Sequence, residues 1–280
     1  TAAARDDALR IAVCQVRMAW EGDDNTATAC AAIALAAREG ARIALLPELS
    51  LTGIHRRIRE MAVPARVAGW LDAVRAACAA HGIAACVGAP TFADSGALHI
   101  SQHVIDADGA LVATVHKRGL TAPEATFFTA ADQRPVVPLL GRRWGTMICR
   151  EIDDHALLAP RFLADRPDIV LWPGGMRPDP DKPRTDPPEH VQRAQALARE
   201  CDTAIVMINW PNALNRPEES AECGASVVIG RGGALRLTLP KAQAGVALID
   251  LDEGDAPLTA RWWAQGDGAA FDAAALWAAA

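Results

Sequence analysis

The chain has 280 residues, 51% of them hydrophobic, and a formal net charge of −6, so it can bury a large core as an enzyme-sized globular protein. An acidic balance without any run of basic residues excludes the electrostatic footprint of a nucleic-acid or anionic-membrane binder and leaves small molecules or proteins as partners. No stretch approaches the roughly 20 uninterrupted apolar residues of a membrane helix, and the opening TAAARDDALR has no secretory h-region, so a cytoplasmic protein is expected.

The apolar run Leu9 to Val16 reads as a buried strand. An Ala-rich helix follows over Thr26 to Arg38, with Asp24 or Asn25 as its cap and Gly40 where a left-handed residue ends it. Arg42 to Leu46 is a second strand, stopped by Pro47. A polar helical segment around His55 to Met61 leads to Pro64, and Arg66 to His81 has helical spacing closed by Gly82. IAACVGAP is a third strand. Ala97 to Ile105 and Ala110 to His116 flank DADG, whose Asp-Gly signals a hairpin, so antiparallel pairing joins a sheet that began as βαβ units.

RRWGTMIC is a strand ending at Cys149, followed by a helix over Asp154 to Ala164 and the apolar strand DIVLWP. Gly174 to Pro188 holds five prolines, which makes it a loop, and its length points to function more than to a domain linker. Pro187 and Pro188 open a helix running to about Glu200, and TAIVMIN, ASVVIG, ALRLTL and GVALIDL are strands, with Gly232-Gly233 as a hairpin turn. About a dozen strands and some five helices give mixed sheets covered by helices, in one domain over 1–280. The apolar, aromatic tail over 253–280 shows no long regular element and is expected to pack on another surface, that of a partner subunit included.

Seven cysteines without C-x-x-C or paired spacing speak against a disulfide framework and a structural zinc site. His99 and His103 share a strand face, yet with no further ligands a hydrogen-bonded or solvated pair is the plainer reading than a metal site. No Gly-rich phosphate loop is present. No metal and no cofactor is expected.

Three titratable residues share one kind of position: Glu48, Lys117 and Cys149 each lie just past a strand. In α/β sheets the carboxyl edge is where ligands bind, so strands pointing the same way would bring the three together. The combination has a chemical use. A thiolate is a nucleophile, a neighbouring cation stabilises it and an oxyanion, and a carboxylate shuttles protons. Lysine stands only at 117, 182 and 241 among 28 basic residues, and a compact ammonium suits a small buried space better than a guanidinium. Taken singly, each residue has a plainer reading: a buried thiol as a small hydrophobe, as for Cys14 and Cys86, a loop carboxylate, or a solvated strand-end charge. Cys149 stands apart because TMIC turns at once into REIDD; Cys201 and Cys223, also near polar residues, are the competing reactive thiols.

LLPELSLTG, HKRGLTAPE and GTMICREID, in this order and at these intervals, resemble the three catalytic blocks of the carbon–nitrogen hydrolase family of the nitrilase superfamily. IAVCQV, DIVLWP and RAQALARECDTAIVMIN with GASVVIGRGGALRL are also similar to it, so the resemblance runs from about residue 9 to 252. It implies a four-layer αββα sandwich, pairing into a homodimer or higher homo-oligomer, and a Glu-Lys-Cys triad. Carried over by position, Glu48 is general base and acid, Lys117 stabilises the oxyanion, Cys149 is the nucleophile, Glu124 supports Lys117, and the Arg150 backbone N–H completes the oxyanion hole. The implied reaction cleaves a non-peptide C–N bond of a small linear amide or carbamoyl compound.

Departures from the family pattern bear on the substrate. Members that attack nitriles commonly carry Trp directly after the cysteine, where this chain has Arg150, which favours amides. LWPGGMRPDPDKPRTDPPEH replaces a shorter segment and makes the pocket individual, with Trp172, Met176 and Arg177 as candidate substrate contacts and Arg150 or Arg177 as partners for a substrate carboxylate. A nitrilase, an acyltransferase using the same triad, and a non-catalytic binding member are the alternative readings.

Overall fold

The computed structural model describes residues 8–179 and 181–278. The first βαβ units form as the sequence predicts. Strand β1 (Leu9–Gln15) pairs in parallel with β2 (Ile43–Leu45), and β2 with β3 (Ala84–Phe92), while helices α1 (Gly22–Arg38) and α3 (Pro64–His81) cover one face. The short α2 (Ile58–Met61) precedes α3. β4 (Leu98–Ile105) and β5 (Leu111–His116) then add antiparallel neighbours through the DADG turn, where Gly109 takes a φ of 82°.

A second sheet follows in the chain: β6 (Val137–Leu139), β7 (Arg142–Thr146), β8 (Ile169–Gly174), β9 (Ala204–Asn209), β10 (Val227–Ile229) and β11 (Leu235–Thr238), with β7, β8 and β9 parallel. Helices α4 (His155–Asp165) and α5 (Glu189–Cys201) cover its outer face. β12 (Gly245–Leu251) returns to pair with β1, and β13 (Thr259–Gln265) and β14 (Phe271–Ala278) extend the first sheet to eight strands.

The strands read as continuous apolar runs because each sheet is buried on both faces, and their period of two sorts the side chains between two cores. Along β1, Ala12 and Cys14 face α1 and α3 with Ala29, Ile33 and Val74, whereas Ile11 and Val13 face the second sheet with Leu171, Val206 and Ile208. The outer face of the second sheet packs Val170, Trp172 and Met207 on Phe162 and Leu197. The architecture is the αββα sandwich, in four layers.

Two local expectations are corrected. Helix α1 begins at Gly22, with Glu21 and not Asp24 or Asn25 at the cap position, and a Cβ at 22 would lie 2.2 Å from the Trp70 ring of α3, so glycine lets the two helices approach closely. Asn25 instead ties down the preceding loop, accepting the Ala19 N–H at 2.8 Å. The tail holds regular structure, two antiparallel strands, and its Trp262 and Trp263 are buried on opposite faces of the chain's own sheet. Alternation of small and aromatic residues there was hidden by the alanine background.

No helix among the described residues is long and apolar enough to cross a membrane.

Candidate active site

Glu48, Lys117 and Cys149 meet at one end of the two sheets. β2 and β5 run in the same direction within the eight-stranded sheet, so the residues just past them emerge together. β7 belongs to the other sheet, and Cys149 arrives from across the interface. The trio therefore converges by sheet-on-sheet packing and not as neighbours within one sheet.

Each side chain is held by backbone that the sequence keeps tight. Pro47 ends β2, and the turn carrying Glu48 lies directly on β3: a Cβ at Gly88 would stand 2.2 Å from the Leu49 nitrogen and 2.7 Å from the Pro47 oxygen. From the second sheet, Trp210 Nε1 donates to the Glu48 carbonyl at 2.9 Å, fixing the turn from both sides. Lys117 continues the ladder by one bond, its N–H donating to Ile100 O at 2.8 Å. Cys149 has a φ of 54°, a left-handed conformation that costs energy for a side chain larger than glycine. Gly174 leaves room for it, since a Cβ there would lie 3.1 Å from the Cys149 Cα.

Lys117 Nζ donates to Glu48 Oε1 at 2.7 Å and to Glu124 Oε1 at 2.7 Å, with the lysine and Glu48 side chains essentially without exposed surface. Glu124 Oε2 accepts the Thr121 N–H at 2.8 Å, which orients it. Burial raises the Glu48 pKa above its ordinary value against the opposing pull of Lys117. Burial alone would lower that of Lys117, but the negative charges of Glu48, Cys149 and Glu124 together raise it, so the ammonium stays charged. Burial and the Glu48 charge push the Cys149 thiol up to about 12, while Lys117 and the Gly175 N–H pull it the other way. The sulfur is held as a protonated thiol beside Glu48, whose Oε2 has no hydrogen-bond partner among the described residues. Such an arrangement can pass the thiol proton to the carboxylate and hold a developing oxyanion beside a permanent cation.

The competing thiols lack Glu48 and Lys117 as neighbours, and Cys223, whose pKa burial raises, lies instead near Arg177, Glu219 and Glu222. Cys14, Cys78 and Cys86 are buried and pushed up to about 12 chiefly by that burial, and Cys201 to about 11. His99 and His103 separate in role: His99 stacks on His116 with ring centroids 4.7 Å apart, and His103 contacts Ala89 O and Thr114.

The candidate substrate contacts fare differently from one another. Trp172 is fully buried and donates Nε1 to the Cys149 carbonyl at 2.9 Å, so it supports the Cys149 backbone and presents no exposed surface. Arg177 is paired with Glu219 at 2.5 Å and Arg150 with Asp154 at 2.9 Å, so neither charge is free for a substrate carboxylate. Met176 does reach the centre, its Sδ 3.8 Å from Cys149 Sγ.

Two residues escaped the sequence reading. Glu151 is buried and accepts the N–H groups of Ile148 at 2.6 Å, Arg118 at 2.7 Å and Gly119 at 3.0 Å, and pairs with buried Arg134 at 2.6 Å. Nothing in REIDD separates Glu151 from the neighbouring Asp153 and Asp154. Asn209, at the end of β9, accepts the Met176 N–H at 2.6 Å and donates to the Met176 carbonyl at 2.6 Å, anchoring the segment that faces the thiol.

Comparison with known proteins follows the geometry. An amidase from Nesterenkonia sp. superposes with a TM-score of 0.76 at 21% identity, over 91% of this chain and 94% of that one. A mutant of the amidase from Nesterenkonia sp. AN1, with the acetamide moiety of fluoroacetamide added covalently at its active-site cysteine, gives 0.77 at 22% identity over 91% and 94%. Glutamine-dependent NAD+ synthetase from Acinetobacter baumannii gives 0.75 at 20% identity over 88% of this chain and 46% of that one. No curated protein matches the chain in sequence. The family model described as carbon-nitrogen hydrolase matches residues 10–256, from β1 through β12, and the chain belongs to that family.

Proposed function

We propose that the protein is a thiol amidohydrolase that cleaves the C–N bond of a small linear amide through a Cys149 thioester, with Glu48, Lys117 and Cys149 as its triad and Glu124 in support. The observation that carries this reading is the buried Lys117 ammonium held at 2.7 Å by both Glu48 and Glu124 beside the protonated thiol.

Glu48 takes the Cys149 proton as Sγ attacks the amide carbon, and the oxyanion is received by Lys117 Nζ and the Arg150 backbone N–H. The tetrahedral carbon then expels ammonia or an amine, which leaves with the proton held by Glu48. Glu48 next deprotonates water for attack on the thioester, and the departing sulfur regains its proton as the carboxylic acid is released. The resting thiol suits this scheme, because a pKa near 12 makes a base obligatory at the first step.

The amide class is favoured over carbamoyl amino acids because both arginines that could recognise a carboxylate are already ion-paired. Ammonia release from a panel of amides, carbamoyl amino acids and nitriles tests the reading, with Cys149→Ala as the control. Full amide turnover by Cys149→Ala would refute the triad, and amide cleavage that needs an added amine acceptor, with no carboxylic acid formed in its absence, would identify a transferase. A homo-oligomer is part of the same proposal, and a light-scattering mass equal to one chain would remove it.

A further inference from the structure

Beside the catalytic centre lies a cavity of about 410 Å³, within the range of about 300–1,000 Å³ typical of small-molecule sites. Its apolar lining comes from Met176 of the Pro-rich loop, Val191 of α5, Val227 of β10 and Leu235 of β11. The charged side chains in the lining are two of each sign, Arg184 and Lys241 against Glu222 and Asp186, with Glu222 holding Arg184 at 2.8 Å and Lys241 at 3.0 Å. His190, also in the lining, is kept neutral at pH 7 by burial, which lowers its pKa to about 4. The sequence segment that departs from the family pattern thus builds one wall of this space.

Met176 is the only lining residue in contact with the nucleophile, its Sδ standing 3.8 Å from Cys149 Sγ. Asn209 pins the Met176 backbone through both its N–H and its carbonyl, so any movement there falls to the side chain. An unbranched thioether with three rotatable bonds is well suited to swing aside for a ligand. The directions around the reacting carbon supply the rest. Its oxyanion must face Lys117 and its leaving nitrogen must face Glu48, both of which come from the eight-stranded sheet. The acyl chain is the one substituent left without a catalytic partner, and the cavity that adjoins Cys149 through Met176 is space available to it.

We infer that this cavity is the acyl-chain subsite, that it takes an uncharged aliphatic chain longer than acetyl, and that Met176 sets how far the chain reaches. The inference rests on the amidase reading for the identity of the reacting carbon.

Calorimetric binding to the Cys149→Ala protein, which lacks the nucleophile, tests it without turnover. For linear amides from acetamide to hexanamide the affinity is expected to rise about fourfold per added methylene. Leu235→Trp, which fills the cavity, should lower the hexanamide-to-acetamide affinity ratio by more than about tenfold, and Met176→Ala should raise it. Where Leu235→Trp does not fold, Met176→Ala carries the test alone. A flat chain-length profile, a ratio that neither variant moves, or tighter binding of an amide of equal length tipped with a carboxylate would overturn the subsite. Turnover by the unmodified protein is measured separately: no ammonia from any amide, with the chain-length profile intact, defeats the amidase reading and with it the acyl assignment, whereas turnover with a flat profile defeats the subsite alone.

Discussion

One buried carboxylate, Glu151, joins Ile148 to Arg118: it accepts the Ile148 N–H at 2.6 Å through one oxygen and the Arg118 N–H at 2.7 Å through the other. The turn that presents Cys149 and the turn that follows Lys117 are thereby tied to a common point, although they belong to different sheets. The charge is balanced by Arg134, itself buried, whose pKa burial lowers despite the attraction of Glu151.

Removing Glu151 strands that guanidinium. Glu151→Ala is expected to cost about 3–5 kcal/mol of stability, because an unpaired buried charge remains. Glu151→Ala with Arg134→Met should recover much of the stability in urea unfolding, yet kcat should stay depressed because the two turns are no longer joined. Recovery of both together would reduce Glu151 to a purely structural role.

Lys117→Ala should lower kcat by two to three orders of magnitude, about 3–4 kcal/mol in the barrier, as for loss of one oxyanion donor. Lys117→Arg should not restore it, because the site leaves no exposed volume for the larger planar fork. Steady-state kinetics on whichever amide turns over best decides the matter. A Lys117→Arg variant within tenfold of the native kcat, a threshold of roughly 1.4 kcal/mol, would contradict the small-cation argument.

Glu48→Gln should separate hydrolysis from thiol reactivity. The negative charge of Glu48 is among the causes that raise the Cys149 pKa, and Lys117 remains to favour the thiolate. The variant should lose amide hydrolysis while its Cys149 alkylates faster with iodoacetamide at pH 7. Slower alkylation would mean that Glu48 acts on the sulfur as a base even toward small electrophiles. In the native enzyme, kcat/KM should fall on acidification with a midpoint above the ordinary carboxylate value, since the buried Glu48 binds its proton more readily.

Gly88→Ala is expected to damage the site from a distance. The added Cβ would stand 2.2 Å from the Leu49 nitrogen, so the turn carrying Glu48 must move away from β3. Overpacking of this kind costs about 1–3 kcal/mol, and the accompanying shift of Glu48 should lower kcat more than it raises KM. A variant that lost only thermal stability would show that the turn tolerates displacement.

His103 should make the fold acid-sensitive. Burial lowers its pKa from 6.5 to about 4, so below pH 6.5 the unfolded chain takes up a proton that the folded chain refuses. Stability is therefore full above pH 6.5 and lost as pH falls toward 4. His103→Gln should flatten this part of the curve by on the order of 2–3 kcal/mol, read from urea midpoints at pH 7 and 4.5. An unchanged slope would place the acid sensitivity elsewhere.

All the strands but β6, β13 and β14, their order along the chain and the positions of the three candidate catalytic residues past strands were legible because they follow local rules: apolar runs for strands buried on both faces, Pro47 and Gly82 as stops, and polar residues at strand ends. What escaped depended on partners far away in sequence. Glu151 acquires its meaning from Arg118, Gly119 and Arg134, and Asn209 from Met176, thirty-three residues upstream. Arg177, a candidate partner for a substrate carboxylate, meets Glu219 only once the chain is folded, whereas the pairing of Arg150 with Asp154 is a local i,i+4 contact. The β13–β14 hairpin was masked by a local composition in which alanine stands at both inward and outward positions.

Because Glu48 and Lys117 are delivered by one sheet and Cys149 by the other, the triad proposed above is not assembled until the two layers have closed on each other. Secondary structure and even a complete eight-stranded layer are insufficient for chemistry. A nascent or partly denatured molecule is in this sense latent, and the recovery of hydrolysis during refolding reports the last docking event and nothing earlier.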